Sequence, residues 1–225
     1  MRAARPVLAI IVSLEENACL GQVRGERNIV TQIDWLFAVL AGYLLGSIPF
    51  GLLLTRAAGL GDVRDIGSGA TGATNVLRTG NKPVAAATLI LDLLKGLGAV
   101  LLAKFLWPGA EGAAGVAAVV GHCCPVWLGF KGGKGVATNA GVSFGLAWPI
   151  GLAYAVVWVL VLALGRISSV AGMAAVVGAA VATALLGYGE YTWALALIAA
   201  FIIWMHRSNI GRLMRGEEPR VGASK

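Results

Sequence analysis

The sequence predicts an all-α polytopic membrane protein, a helical bundle of seven transmembrane helices with a cytoplasmic C-terminus. Three observations carry that expectation. Of 225 residues, 58% are hydrophobic and only 13% charged, and the mean hydropathy is +0.80. Apolar runs of roughly 20 residues recur, the length a helix needs to cross hydrocarbon. Stretches such as 150 to 164, IGLAYAVVWVLVLAL, are apolar on every face, whereas a membrane β-strand would alternate, so helices are what satisfies the backbone in lipid. The charged residues fall in short islands between these runs, which leaves no room for a separate water-soluble domain.

The elements follow in order. Residues 1 to 30 have a short apolar start, mixed charges and no clean small-residue cleavage site, so they match a signal peptide poorly. They are expected to be a non-functional N-terminal extension, with residues 31 to 225 forming a single transmembrane domain. Spans are expected near 33 to 55, 84 to 107, 113 to 130, 135 to 148, 149 to 164, 168 to 187 and 191 to 205. The fourth is the shortest and carries Asn139, which suits a tilted or interfacial segment as well as a full crossing. Basic residues gather on one side: Arg56, Arg64, Arg78 and Lys82, then Lys131 and Lys134, then Arg166, then the tail from Arg207. The positive-inside rule places those loops and the C-terminus in the cytoplasm, which requires an odd number of spans.

Most of the 32 glycines read as helix packing, as in AGMAAVVGAAVATALLG at 171 to 187. Cys123 and Cys124 are adjacent, their α-carbons about 3.8 Å apart, too close for an ordinary disulfide. Cys124 reads as a small buried hydrophobe rather than a nucleophile.

Three polar islands carry the chemistry. The first, DVRDIGSGATGATNVLRTGNK at 62 to 82, has glycines at 67, 69 and 72 that let the backbone turn and present N–H groups. Ser68, Thr74 and Asn75 add polar side chains, and Arg64 and Arg78 fixed positive charge, which together suit an anion. The second, FKGGKGVAT at 130 to 138, is not a Walker A loop, since a helix runs in as well as out. Its Gly132, Gly133 and Gly135 permit close backbone approach, Lys131 and Lys134 supply ammonium groups, and the next helix N-terminus favours an anion such as a phosphate ester. In the third, HRSNIGRLMRGEEPR at 206 to 220, His206 and Asn209 share a helical face and can turn back toward the bundle. Asp92 and Lys95, at i and i+3 within the second span, read as a structural ion pair beneath the site.

GSIPFG at 46 to 51, GSGATGATNVLRTGNK at 67 to 82, LDLLKG at 91 to 96, GHCCPVWLGFKGGKGVAT at 121 to 138 and HRSNIGRL with Gly216 and Glu218 together resemble the PlsY family. These are bacterial integral-membrane acyl-phosphate:glycerol-3-phosphate acyltransferases, and the likeness covers residues 33 to 220. It implies a seven-helix acyltransferase domain that moves an acyl chain from acyl phosphate to the 1-hydroxyl of glycerol 3-phosphate, giving lysophosphatidic acid and inorganic phosphate in phospholipid synthesis. It implies a multi-pass protein of the bacterial cytoplasmic (inner) membrane, with the active site facing the cytoplasm and no cofactor or metal. Its partners would be glycerol 3-phosphate, acyl phosphate, membrane lipids and the peripheral enzyme that makes acyl phosphate, and no nucleic acid. By motif position, Ser68, Arg78, His206 and Asn209 match the catalytic set. Gly67, Gly69, Thr74, Asn75 and Lys131 through Gly135 match the substrate and phosphate-binding set, and Glu218 a structural glutamate.

The residue inventory agrees with that chemistry. An acyl phosphate carries a good leaving group, so positioning and charge neutralisation can do most of the work. The H-x-x-x-x-D pairing of other acyltransferases is absent: Trp127 and Gly211 stand where aspartate would follow His122 and His206. The family is thought to let the acyl phosphate's own oxygen take the hydroxyl proton. Two departures stand out, Ala70 for the family's usual asparagine and Cys124 for an aromatic residue. An anion or phosphate-ester transporter is the rival reading; it predicts polar residues across the midplane, and spans five to seven show almost none. An inactive scaffold is a third, resting on Ala70 alone.

Overall fold

The computed structural model describes residues 31–222, so the expected extension at 1 to 30 lies outside it. Every regular element among the described residues is helical: α1 (Gln32–Gly46), α2 (Phe50–Ala57), the single turn α3 (Ala73–Val76), α4 (Lys82–Leu106), α5 (Glu111–Cys123), α6 (Val136–Leu146), α7 (Trp148–Gly165), α8 (Ser168–Leu185), α9 (Thr192–Met205) and α10 (Arg207–Met214).

Local sequence explains the boundaries that matter for the site. Thr31 and Asp34 close a capping box at the start of α1. The first span breaks at 47 to 49, where Pro49 has no N–H to continue the ladder. The Ile48 carbonyl freed by the break accepts a hydrogen bond from Lys95 Nζ at 2.8 Å. Asn81 caps α4 through Val84 N, with Pro83 in the first turn.

Small residues bring the helices close. A Cβ on Gly42 or Gly46 of α1 would overlap the Ala114 or Ala118 carbonyl of α5, and one on Gly141 of α6 the Leu93 carbonyl of α4. The core runs through Val100, Val119, Val142, Ile150, Leu195, Ile198 and Ile202. Large apolar side chains such as Leu36, Leu40, Leu101, Leu160 and Leu197 point outward, the face a bilayer would cover.

The helices alternate in direction between two ends. At one, Lys104 Nζ donates to the Leu146 carbonyl (2.7 Å) and Tyr191 Oη to Glu111 Oε1 (3.0 Å), while the Trp35 and Trp193 rings lie 6.1 Å apart. At the other, Arg78, Lys134, Ser168 and His206 face a common cavity. Helix α6 takes its place in this alternation but is short. Its 11 residues rise about 16 Å, against about 30 Å of hydrocarbon. The expected fourth and fifth spans, 135 to 148 and 149 to 164, meet where Ala147 adopts extended backbone (φ −157°, ψ 136°) and separates α6 from α7. Among the described residues, five helical segments are long and apolar enough to cross a membrane (Gln32–Ala57, Lys82–Leu106, Glu111–Leu128, Trp148–Gly165 and Ser168–Leu185), or six when α9 and α10, bent by 57° at His206, count as one.

Candidate active site

The first polar island folds around Asn75. Its amide nitrogen donates to the carbonyls of Val63 (2.8 Å), Ala70 (2.9 Å) and Ile66 (3.1 Å), and its Oδ1 accepts from Ser68 N (3.1 Å) and Arg78 Nη1 (3.4 Å). One buried amide therefore sets the loop and aims both Ser68 and Arg78. Gly67 sits at φ +55°, and a Cβ there would fall on Arg78 and on Asn75 Oδ1. Arg64 is engaged elsewhere, gripping Asp62 through Nε (2.9 Å) and Nη2 (2.7 Å). Ala70 faces the cavity with a methyl group, while its carbonyl helps hold Asn75, so the loop keeps its shape without a side-chain amide at 70.

The glycines of the second island serve a close approach, to helix α5. Gly132 N donates to the Cys123 carbonyl and Gly133 N to the His122 carbonyl, both at 3.0 Å. A Cβ on Gly132 would strike the His122 carbonyl, and one on Gly133 the His122 ring. These two amides are thus spent on the end of α5 rather than turned to the cavity. Gly135 takes a left-handed conformation (φ +83°) that starts α6, whose first residues Val136 and Ala137 line the cavity. Lys131 stays exposed on the outer surface, while Lys134 turns inward and donates to Asn209 Oδ1. Burial, reinforced by the nearby Arg212 and Arg78 and opposed by Glu218, holds the Lys134 ammonium below the ordinary lysine value.

At the third island, His206 Nδ1 lies 2.7 Å from the Ile202 carbonyl. A carbonyl oxygen can only accept, so Nδ1 carries the hydrogen and Nε2 is left for a ligand. Asn209 Nδ2 donates to Glu218 Oε1 (2.6 Å), which also accepts from Ser169 Oγ (2.6 Å), and Arg212 Nε bonds Glu218 Oε2 (2.7 Å). Burial pushes the Glu218 carboxyl up, but its bonds from Ser169, Asn209 and Arg212 outweigh that and hold it below the usual carboxylate value.

Beneath the site, Lys95 Nζ lies 2.8 Å from Asp92 Oδ1, both side chains buried, and His122 Nδ1 lies 3.6 Å from the same oxygen. The cluster ties α4, α5 and the break after α1 together.

One cavity of about 550 Å³ gathers most of these groups. Ser68, Thr74, Asn75, Arg78, Lys134, Gly135, His206, Asn209, Glu218 and Asp92 line it. Gly67, Gly69, Lys131, Gly132, Gly133 and Lys95 lie outside it, behind the loops or in the bundle. Its other half is apolar, formed by Phe144, Tyr154, Ala155, Trp158 and Val159. Leu89 and Val159 line the cavity and are also exposed on the outer surface, so this half opens sideways between α4 and α7. The cavity can therefore take an anionic head and an apolar tail together.

Sequence reasoning passed over Ser169 and Tyr154, set Arg212 on the face of Asn209 without a role, and weighed His122 only for an aspartate nearby along the chain. A His–Asp pair does line the cavity, but His122 and Asp92 come from two helices, where no spacing along the chain reveals it. Tyr154 Oη donates to the Val136 carbonyl at 2.8 Å and steadies the start of α6 from an otherwise apolar run. Neither Cys123 nor Cys124 lines the cavity; Cys124 offers its carbonyl to Tyr43 Oη (2.9 Å).

The family model described as Glycerol-3-phosphate acyltransferase matches residues 36–216. A glycerol-3-phosphate acyltransferase of Erythrobacter litoralis is 64% identical over 190 residues, covering 84% of this chain and 96% of its own. One of Brucella anthropi is 54% identical over 186 residues, covering 83% and 92%. Among solved structures, the chain resembles PlsY, an integral membrane glycerol 3-phosphate acyltransferase, in its glycerol 3-phosphate form: TM-score 0.79 and 39% identity, covering 84% of this chain and 96% of that one. The lysophosphatidic acid form gives a TM-score of 0.77 at 38% identity, covering 84% and 95%.

Proposed function

The chain belongs to the glycerol-3-phosphate acyltransferase family, and on that premise we propose that it transfers an acyl chain from acyl phosphate to the 1-hydroxyl of glycerol 3-phosphate. The products are lysophosphatidic acid and inorganic phosphate. The observation that supports this reading is the two-sided cavity, cationic at Arg78 and Lys134 and apolar at Phe144 and Trp158, with a lateral opening. An acyl phosphate has that profile.

On this reading Ser68, Thr74, Arg78, Lys134, Asn209 and His206 Nε2 hold the two phosphates. The N-termini of α6 and α8, which open on the cavity through Val136 and Ser168, add partial positive charge. Gly67, Gly69 and Asn75 shape the first loop. Gly132 and Gly133 set the reach of Lys134, while Asp92, Lys95 and Glu218 brace the walls. The glycerol 1-oxygen attacks the acyl carbonyl carbon, the bond between that carbon and the bridging oxygen breaks, and the bridging oxygen leaves with the phosphate. The hydroxyl proton goes to an oxygen of that departing phosphate, so bonds and charge balance without a protein base. Rate comes from holding the reactants together and neutralising the leaving group.

The orientation follows from charge. Arg56, Arg78, Lys134, Arg166 and the tail arginines share the end that carries the cavity, and Glu111 and Glu190 the other. The positive-inside rule then puts the cavity and C-terminus in the cytoplasm of the bacterial inner membrane, within reach of a peripheral enzyme that supplies the donor. With α6 alternating in direction like its neighbours, the chain crosses seven times.

The test is phosphate release by purified protein in lipid, with glycerol 3-phosphate and either acyl phosphate or acyl-coenzyme A. Release with acyl phosphate only, matched by lysophosphatidic acid, is expected. Transfer from acyl-coenzyme A instead would overturn the donor assignment.

A further inference from the structure

Beyond the groups that match known motifs, the cavity rim carries a cation set there by the fold. The tail after α10 crosses the rim as a strap pinned at two points. Glu218 takes three hydrogen bonds, from Ser169, Asn209 and Arg212. Three residues on, Val221 N donates to the Arg166 carbonyl (2.7 Å), and Arg166 Nη2 donates back to the Val221 carbonyl (3.0 Å). Only Pro219 and Arg220 lie between the anchors, and the proline ring fixes its own φ. The backbone at Arg220 is therefore held at the rim, and Arg220 lines the cavity.

Its electrostatic setting is unusual. Arg212 is paired with Glu218 at 2.7 Å and Arg215 with Glu217 at 2.7 Å, whereas Arg220 makes no ion pair or side-chain hydrogen bond among the described residues. Arg78 and Lys134 line the same cavity. The two carboxylates that line it, Asp92 and Glu218, are ion-paired with Lys95 and Arg212, so Arg78, Lys134 and Arg220 lack an ion-pair partner among the described residues, an arrangement that a bound dianion relieves.

We propose that Arg220 is a further substrate-binding residue, a rim cation that captures the phosphate dianion of an incoming substrate. It rests on the acyltransferase reading. Arginine suits the role, since its planar fork matches a phosphate with two parallel hydrogen bonds. Either substrate carries that group, and kinetics separate them.

The experiment compares wild type, Arg220→Gln, Arg220→Lys and Arg215→Gln in nanodiscs of neutral lipid, where anchoring to anionic headgroups cannot contribute. The KM for glycerol 3-phosphate and for acyl phosphate is each measured at low and high salt. Arg220→Gln should raise one or both KM values about fivefold at low salt with kcat nearly unchanged, as removal of an exposed charge-assisted contact does. The gap should shrink at high salt, Arg220→Lys should recover much of the loss, and Arg215→Gln should behave as wild type. Unchanged KM values, an equal effect from Arg215→Gln, or a fall in kcat alone would overturn the assignment. Should wild type fail to use acyl phosphate, the donor reading falls, and inorganic phosphate binding by wild type and Arg220→Gln still decides this one: equal affinities overturn it, weaker binding by the variant supports it.

Discussion

Lys134 Nζ donates to Asn209 Oδ1 across 75 residues of sequence, and Asn209 passes the connection on to Glu218 through Nδ2. The loop before α6, helix α10 and the tail are thereby one polar chain along the cavity wall. Replacing Lys134 with alanine removes the cation and strands the Asn209 carbonyl. On the proposed reading, kcat/KM for glycerol 3-phosphate should fall roughly tenfold to a hundredfold, the range for a hydrogen bond to a charged group. Steady-state kinetics check it, and unchanged values would take Lys134 out of the site.

The pH response of Lys134 follows from its lowered pKa, caused first by burial and then by Arg212 and Arg78. It stays charged in the folded protein only up to that lowered value, so phosphate affinity should be full below it and decline as pH rises through it, before the ordinary 10.5 is reached. Stability of the ligand-free protein runs the other way. Between the two values the unfolded chain binds the proton that the native state has released, so rising pH favours the native state there. Phosphate titrations and thermal unfolding of wild type and Lys134→Met across the alkaline range test both trends, which the variant should lack. Affinity that holds constant up to 10.5 would sink the argument.

Asp92→Asn should destabilise the bundle by about 3–5 kcal/mol, because it leaves the Lys95 ammonium buried without its counter-charge. Asp92→Asn combined with Lys95→Met should recover much of that loss, with Ile48 then losing its donor. Denaturation in detergent reads the outcome. Equal stability of the single variant and wild type would mean that Lys95 is held by the Ile48 carbonyl alone.

Gly133→Ala and Gly132→Ala should both disturb the loop that carries Lys134, yet only the first can be relieved. The new methyl at 133 meets the His122 ring, and at 132 it meets the His122 backbone carbonyl. His122→Ala should therefore rescue activity in the Gly133→Ala background and leave Gly132→Ala impaired. Equal rescue of both would refute this account of the loop.

Much of this was legible in the sequence. Apolar runs gave the helices, and the Gly, Ser, Arg and Lys islands marked the loops that meet at the cavity. What was hidden has physical causes. Hydropathy separates the runs on either side of residue 148 but does not fix how much of a run is helix, and α6 keeps only 11 residues. Glycine spacing announces a close approach but not its partner, which for Gly132 and Gly133 is the end of α5. The Asp92–His122 pairing arises from α4 packing on α5, and the strap from contacts of Ser169 and Arg166 with residues about 50 positions away.

The sideways opening beside Leu89 and Val159 has an energetic consequence. Lifting a fatty chain into water costs about 0.8 kcal/mol for each methylene, so a chain of a dozen or more methylenes would meet a barrier of about 10 kcal/mol on a route through the aqueous face. On the proposed reading, a slot between α4 and α7 lets the acyl tail stay in hydrocarbon while only the head crosses into the polar half. Encounter then becomes a two-dimensional search within one leaflet, governed by how much amphiphile that leaflet holds.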